Sequence, residues 1–374
     1  MSETETEQDW HCSGCGVKIQ SEEPKKIGYA PSSALKRDVV VCKRCFRLTH
    51  YNEIQPVAIE DDEFAAMFHS LHTKDALIVK VVDIVDVYGS WISGVQRFVG
   101  KNPVLLVANK VDLLPKSTNR GKLTNWLKKM ASDEGLKPLD AMLMSTVSNE
   151  GVEEVINRID ELRKGKDVYV VGCTNVGKSS FINKILKLHG HEGDHFITTS
   201  HFPGTTLNLI DIPLGDEKSL VDTPGLINRH QIAHLLSPKS LKAITPKKEL
   251  KPTVFQLKEE QTLFLGGLAR LDFIKGAPSS FVVYVANDLH IHRTKREKAD
   301  DLFENHAGVL LTPPFKEEGE VTFELKKHTF KIGAEATDIV YSGLGWIRVQ
   351  SEGATIEVYA PKEVGVSVRP SIHA

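Results

Sequence analysis

Apolar residues along this chain follow two rhythms, and the change falls near residue 237. Between residues 76 and 172 four apolar runs, ALIVKVVDIVDV (76–87), PVLLVANK (103–110), AMLMS (141–145) and DVYVVG (167–172), are separated by longer amphipathic stretches at 90–99, 119–135 and 149–164. The runs predict strands buried on both faces and the stretches predict helices, with a further helix from Gly177 to about Leu188 and strands near 207–212 and 218–222. The expected fold is α/β, a mostly parallel sheet covered by helices. After 237 the proline- and lysine-rich segment KSLKAITPKKELKP gives way to short runs such as SFVVYVAN, WIRVQ and ATIEVYA, divided by Gly, Pro and Asn, which predict a separate β-rich domain. Residues 1–10 are acidic and aperiodic and predict a disordered tail, while residues 11–55 hold too little apolar material to build a core without a staple. The α/β domain is thus expected over 56–236 and the β-rich one over 237–374.

Composition agrees with a folded, modular chain: 374 residues, 41% apolar and 26% charged. Two aspartates interrupt the longest apolar run and the N-terminus is acidic, so neither a membrane span nor a secretory signal is expected and the cytoplasm is the expected compartment. Four of the five cysteines form two pairs, Cys12-x-x-Cys15 and Cys42-x-x-Cys45, separated by 26 residues. Four thiolates on two knuckles suit tetrahedral Zn²⁺ in a closed structural site, and nothing thioredoxin-like surrounds either pair to favour redox chemistry. His11 and His50 flank the cysteines, but four sulfurs already fill such a site. The net charge of -2 hides two basic segments: residues 12–50 carry eight Lys/Arg against three Asp/Glu, and 238–298 carry twelve against six. On the small cysteine module Lys25, Lys26, Lys36, Arg37, Lys43, Arg44 and Arg47 form either a solvated face or a surface for RNA phosphate.

The strongest chemical signal is GCTNVGKS, Gly172 to Ser179, a G-x-x-x-x-G-K-[ST] pattern that follows a predicted strand and opens a predicted helix. Its residues Gly172, Thr174, Asn175, Val176, Gly177, Lys178, Ser179 and Ser180 are the expected phosphate cradle: backbone N–H groups curl around phosphates, Lys178 reaches the β/γ-phosphates, and the Ser179 hydroxyl ligates Mg²⁺. DTPG, Asp222 to Gly225, ends the strand SLVDTPG. Asp222 is expected to hold Mg²⁺ through water, and Gly225 to offer a backbone N–H to a γ-phosphate. In PGTT (203–206) a threonine hydroxyl, Thr206 in preference to Thr205, would complete the Mg²⁺ shell only with the γ-phosphate present, making the loop a switch. NKVD closes the strand PVLLVANK: Asn109 and Lys110 precede Asp112, whose carboxylate can accept the two donors of guanine, while the lysine stem packs over the base. Ser145 and the Thr146 backbone N–H, in MSTVSNEG, are expected to close over the guanine carbonyl. Cys173 reads as a small filler inside the P-loop, and Asp83 and Asp86 receive no role.

These motifs resemble those of the translation-factor-type GTPases, but here NKVD and STV come before GCTNVGKS, PGTT and DTPG. The set is complete and rotated, as in a circularly permuted GTPase opened before the strand at 76–87; permutation preserves a site because domain termini lie at the surface, often near each other. The four-cysteine module ahead and the β-rich domain behind make nearly the whole chain resemble the YqeH family of bacterial ribosome-assembly GTPases. That resemblance implies GTP hydrolysis coupled to maturation of the small (30S) ribosomal subunit, contact with its rRNA, no membrane or DNA partner, and a C-terminal domain similar to the tryptophan-RNA-binding attenuation protein. Leu226 stands where many GTPases place a water-orienting glutamine after DxxG, so slow intrinsic turnover is expected. In relatives with an apolar residue there, the asparagine matching Asn175 is associated with K⁺, which implies K⁺ stimulation. No haem, flavin or pterin signature is present in the sequence. Two function classes follow: a GTP-driven switch acting on RNA, and a zinc-containing RNA-binding scaffold with a nucleotide site of negligible turnover.

Overall fold

In the computed structural model the described residues are 10, 12, 18–24, 26, 28–36, 40–43, 46, 58–59, 71–189, 198–201, 208–214, 216–316 and 323–373. They divide into two compact units, one built from the described parts of 1–84, 90–110 and 127–227, the other from 85–89, 111–126 and 228 onward.

The first unit is organised by a seven-stranded sheet. Its strands are β2 (Ala76–Asp83), β3 (Val104–Asn109), β4 (Asp140–Leu143), β5 (Asp167–Val171), β6 (Thr198–His201), β7 (Asn208–Pro213) and β8 (Ser219–Asp222), in the spatial order β4-β3-β2-β5-β8-β7-β6. The five strands from β4 to β8 are parallel; β7 and β6 add antiparallel. Continuous apolar runs in β2, β3 and β5 reflect burial on both faces, and β2 and β3 expose almost nothing. Helices α1 (Val95–Val99), α2 (Arg120–Asp133), α3 (Val152–Arg163) and α4 (Lys178–His189) follow the strands, with α2 running on from the second unit into the first. NKVD closes β3 and DTPG closes β8, which flank the pair β2 and β5, so both motifs and the P-loop that follows β5 stand on strands of one parallel set despite their rotated order in the chain.

Two expectations need correction here. The apolar run at 76–87 is a strand only to Asp83, and the helix expected over 90–99 is confined to Val95–Val99. The chain turns away after Ile84 because residues 85–89 pack into the other unit, where a Cβ on Gly89 would fall 2.1 Å from Asp86 Oδ2 and 2.3 Å from Ser342 Oγ.

Ahead of this sheet, Ile19, Ala30, Val40, Cys12 and Cys42 form a small buried cluster with Trp10 packed against it. A two-residue strand, β1 (Ala58–Ile59), pairs in parallel with β9 (Gly225–Leu226).

The second unit contains two antiparallel five-stranded sheets. One is ordered β10 (Thr253–Leu257), β13 (Ser279–Val285), β17 (Gly345–Val349), β16 (Thr337–Tyr341), β19 (Val366–Pro370); the other β14 (Ile291–Lys295), β11 (Gln261–Leu265), β12 (Ala269–Lys275), β18 (Thr355–Pro361), β15 (Leu325–Lys331). Alternate residues of both sheets, among them Leu263, Phe273, Phe281, Ile347 and Val358, share one apolar core. Two helices were not anticipated in this β-rich region: α5 (Pro238–Ile244) and α6 (Ala299–His306). The first covers PKSLKAI because Pro238 sits at its first turn and the Ser237 hydroxyl accepts from the Ser240 N–H at 3.2 Å. The second opens with Asp300 and Asp301 and packs against Phe264 through Ala299, Leu302 and Phe303.

Candidate functional site

The P-loop runs from the end of β5 to the first turn of α4. Two of its glycines have separate structural reasons. A Cβ at Gly172 would lie 2.6 Å from the Val81 carbonyl oxygen, so the loop can leave the sheet there only without a side chain. Gly177 has φ +91, and a Cβ on it would fall 2.1 Å from Asn109 Nδ2. The second contact ties two motifs together that are far apart in the chain. Asn109 donates from Nδ2 to the Val176 carbonyl at 2.8 Å and accepts at Oδ1 from the Thr146 N–H at 3.1 Å. This fully buried amide therefore stitches the P-loop to the loop after β4. Ser145 Oγ accepts from the N–H groups of Val147 and Ser148 at 3.1 and 3.0 Å, which shapes that loop from within. In this arrangement the Thr146 N–H is engaged by Asn109.

Lys178 is buried and donates to Asp222 Oδ1 at 2.9 Å and to the Thr223 carbonyl oxygen. Asp222 is itself only 3% exposed, and Thr223 anchors back to β5 through its hydroxyl, which donates to the Val170 carbonyl at 2.8 Å. Beyond it the chain lies across the P-loop backbone: Thr174 N–H donates to the Leu226 carbonyl at 2.8 Å and Leu226 N–H to the Gly172 carbonyl at 3.3 Å. On the other side Ala58 and Ile59 pair with Gly225 and Leu226. The segment after DTP is thus a strand held on both edges, one of them being the loop expected to cradle phosphates. Leu226 is used here for its backbone, which a motif reading cannot show.

Lys110 ends at 2.5 Å from Asp83 Oδ2. Asp112 lies on the single turn Val111–Leu113, and its Oδ1 is buried with no hydrogen-bond partner among the described residues. Asp86 belongs to the second unit, where Oδ1 accepts from the Gly89 N–H at 3.1 Å and Oδ2 from Gln231 Nε2 at 2.9 Å. Ser179 and Thr174 are half-buried; Asn175 is exposed with a left-handed backbone, φ +62. Thr205 and Thr206 lie outside the described residues.

Sequence reasoning passed over Lys80. It sits in the middle of β2, fully buried, with Nζ 4.1 Å from the centroid of the Trp91 ring, and burial pushes its pKa down to about 8. The signal was available as a single charge inside ALIVKVV.

One cysteine of each N-terminal pair, Cys12 and Cys42, is buried in the small cluster, and the Cys42 N–H donates to Cys12 Sγ at 3.2 Å. A backbone N–H directed at sulfur suits a metal-bound thiolate, so this half of the donor set fits a zinc knuckle. Cys15 and Cys45 lie outside the described residues.

Known families match both units. A family described as "50S ribosome-binding GTPase" matches residues 167–262, and one described as "YqeH-like, C-terminal" matches 278–372. The Bacillus subtilis protein YqeH is 55% identical over 361 residues, covering 96% of this chain and 98% of its own length. The chain belongs to the YqeH family. Other relatives include the NO-associated protein 1, chloroplastic/mitochondrial, of Arabidopsis thaliana, 32% identical over 96% of this chain and 76% of its own length. GTPase Der of Methylococcus capsulatus is 27% identical over 46% of this chain and 38% of its own length. The chain is a GTPase, and its GTPase domain implies GTP and GDP as its nucleotides and Mg²⁺ as their companion ion. No helix among the described residues is long and apolar enough to cross a membrane.

Proposed function

We propose that this protein is a GTP-driven molecular switch that binds RNA and assists assembly of the small ribosomal subunit in the cytoplasm. The observation that carries the switch is the contact of DTPGL with the P-loop. Lys178 is committed to Asp222 and Thr223, and the backbone of Gly172 and Thr174 to Leu226. Phosphates entering the P-loop compete for the same lysine and for the Thr174 N–H. In this reading nucleotide binding loosens the Gly225–Leu226 strand from the P-loop, and hydrolysis lets it return. With Lys178 turned to the phosphates, Ser179, Asp222 and Thr206 would be the residues to hold Mg²⁺, and Gly225 would offer its N–H to the γ-phosphate. Mg²⁺ supplies charge neutralisation on the β- and γ-oxygens.

Asn109 keeps the base-reading loop in register with the P-loop, and the Asp112 oxygen that has no hydrogen-bond partner among the described residues suits the donor pair of guanine. Cys12, Cys15, Cys42 and Cys45 hold a structural Zn²⁺. Asn175, exposed in a left-handed turn, is the residue for a K⁺ ion that would stand in for an arginine finger; equal hydrolysis rates in KCl and NaCl at matched ionic strength would remove that ion from the mechanism. For RNA the support is charge: Lys247, Lys248 and Lys251 are exposed in the segment that leads into the second unit's sheets.

The deciding experiment is sedimentation of the purified protein with each ribosomal subunit, in GDP and in a non-hydrolysable GTP analogue, at two salt concentrations, since phosphate contacts weaken steeply with salt. Retention on the small subunit with the analogue alone supports the switch. Retention regardless of nucleotide supports a scaffold, and retention on the large subunit alone overturns the choice of partner.

A further inference from the structure

We infer that Asp83 is a positioning residue of the guanine site and acts through Lys110. The inference rests on the reading of NKVD as the base-recognition motif. Asp83 is the last residue of β2 and lies opposite Asn109 in the β2–β3 register. Its backbone is held on two sides: the Asp83 N–H donates to Ser90 Oγ at 2.9 Å, Ser90 being fully buried, and the Ile84 N–H continues the ladder to the Asn109 carbonyl at 3.0 Å. The carboxylate is therefore presented from a rigid strand end. One residue past Asn109, Lys110 takes φ +70, a left-handed conformation that an L-residue adopts at a cost. Its Nζ reaches Asp83 Oδ2 at 2.5 Å, with the lysine side chain 28% exposed and the aspartate 16%.

Two properties of lysine make this pairing consequential. A free lysine has many rotamers, and packing its stem on a purine face loses that freedom. With the ammonium fixed at Asp83, the methylenes between Cα and Nζ are already stretched along one path, so the base meets a formed surface. The neighbouring motif atoms are fixed in the same way: Asn109 is bonded to Val176 and to Thr146. Asp83 extends that frame to the one long, flexible side chain of the motif. A partly exposed ion pair would by itself contribute little. Here the consequence falls on nucleotide affinity, because the pair orders a group that touches the base.

A double-mutant cycle in the full-length protein tests this. Asp83→Asn, Lys110→Met and the double variant are titrated with a fluorescent GDP analogue, competed with inorganic tripolyphosphate, and followed in steady-state GTP hydrolysis. Asp83→Asn should weaken GDP about five- to tenfold, with the loss in the KM for GTP and not in kcat, and with tripolyphosphate competition retained. The double variant should bind GDP no more weakly than Lys110→Met alone, since the effect passes through the lysine. Unchanged GDP affinity in Asp83→Asn, or losses that add in full, would overturn the inference. So would an equal loss for tripolyphosphate together with a lower melting temperature, which marks a purely structural residue. Wild-type protein that binds tripolyphosphate but not the GDP analogue would remove the underlying reading of NKVD, a result distinct from any of these.

Discussion

Lys178 and Arg270 are equally buried, each with 7% of its side chain exposed and each facing an aspartate, but the two units surround these pairs differently. In the first unit Lys178 meets Asp222 with one bond and the Thr223 carbonyl with another. In the second, Arg270 bonds Asp272 through both Nε and Nη2 and reaches Asp300 through Nη1, while Asp272 also accepts from Thr262 at 2.6 Å. A flexible ammonium on single contacts can be handed to another anion; a planar guanidinium in a fork, shared between two aspartates, cannot be released without leaving buried groups unpaired. The GTPase unit stores exchangeable contacts where a phosphate arrives, and the β-rich unit uses the same chemistry as a permanent rivet between its sheet and α6.

The contrast can be broken most severely at Asp272. Its replacement by Ala leaves Arg270 buried without its fork and should cost about 3–5 kcal/mol in urea denaturation of the second unit, with GDP affinity unaltered. Equal loss of GDP affinity would deny that the rivet is separate from the site. Lys178→Ala should do the reverse, weakening GTP about a hundredfold, or ~2.7 kcal/mol by calorimetric titration, with a smaller effect on stability.

Lys80 sharpens the comparison, since it is a buried cation over Trp91 whose Nζ has no hydrogen-bond partner among the described residues, whereas Arg369, over Trp126 and Trp346, bonds Asp338 at 3.3 Å. Lys80→Met should be neutral or stabilising by ~1–2 kcal/mol at pH 7. Burial lowers the folded-state pKa of Lys80 to about 8 from 10.5, so between those values the unfolded chain binds more protons and wild-type stability should rise with pH; that slope should vanish in the variant. The smallest effect belongs to His373, stacked on Tyr284 at 4.6 Å, whose pKa burial pushes down to about 4. Because the unfolded chain protonates this imidazole first, stability of the second unit should fall as pH drops from about 6.5 to 4, and less so in His373→Gln.

Much of the site was legible because its motifs are constrained locally. A loop that wraps phosphates needs glycine at Gly172 and Gly177 and a lysine at the helix start, and those residues are adjacent in the chain. The apolar runs of β2, β3 and β5 were legible for a related reason, since burial on both faces forbids alternation. Asp83 and Asp86, three residues apart and alike in the sequence, were not: one pairs with Lys110 and the other with Gln231 and the Gly89 backbone in the second unit. Periodicity also missed α5 and α6, whose short helical stretches lie among strand-like runs and are fixed by a serine cap and by packing on Phe264.

The sequence by itself determined the chemistry available: a phosphate loop, a base-reading motif, two cysteine pairs, and the rotated order in which they occur. Tertiary structure alone decided which partners those groups hold. Asn109 joins Val176 and Thr146, 67 and 37 residues away, and Leu226 lies on the backbone of Gly172 and Thr174. Such contacts are set by strand order in a sheet, where neighbours in space are chosen by the burial of whole faces and by backbone hydrogen bonds that carry no residue identity, so no local pattern in the chain records them.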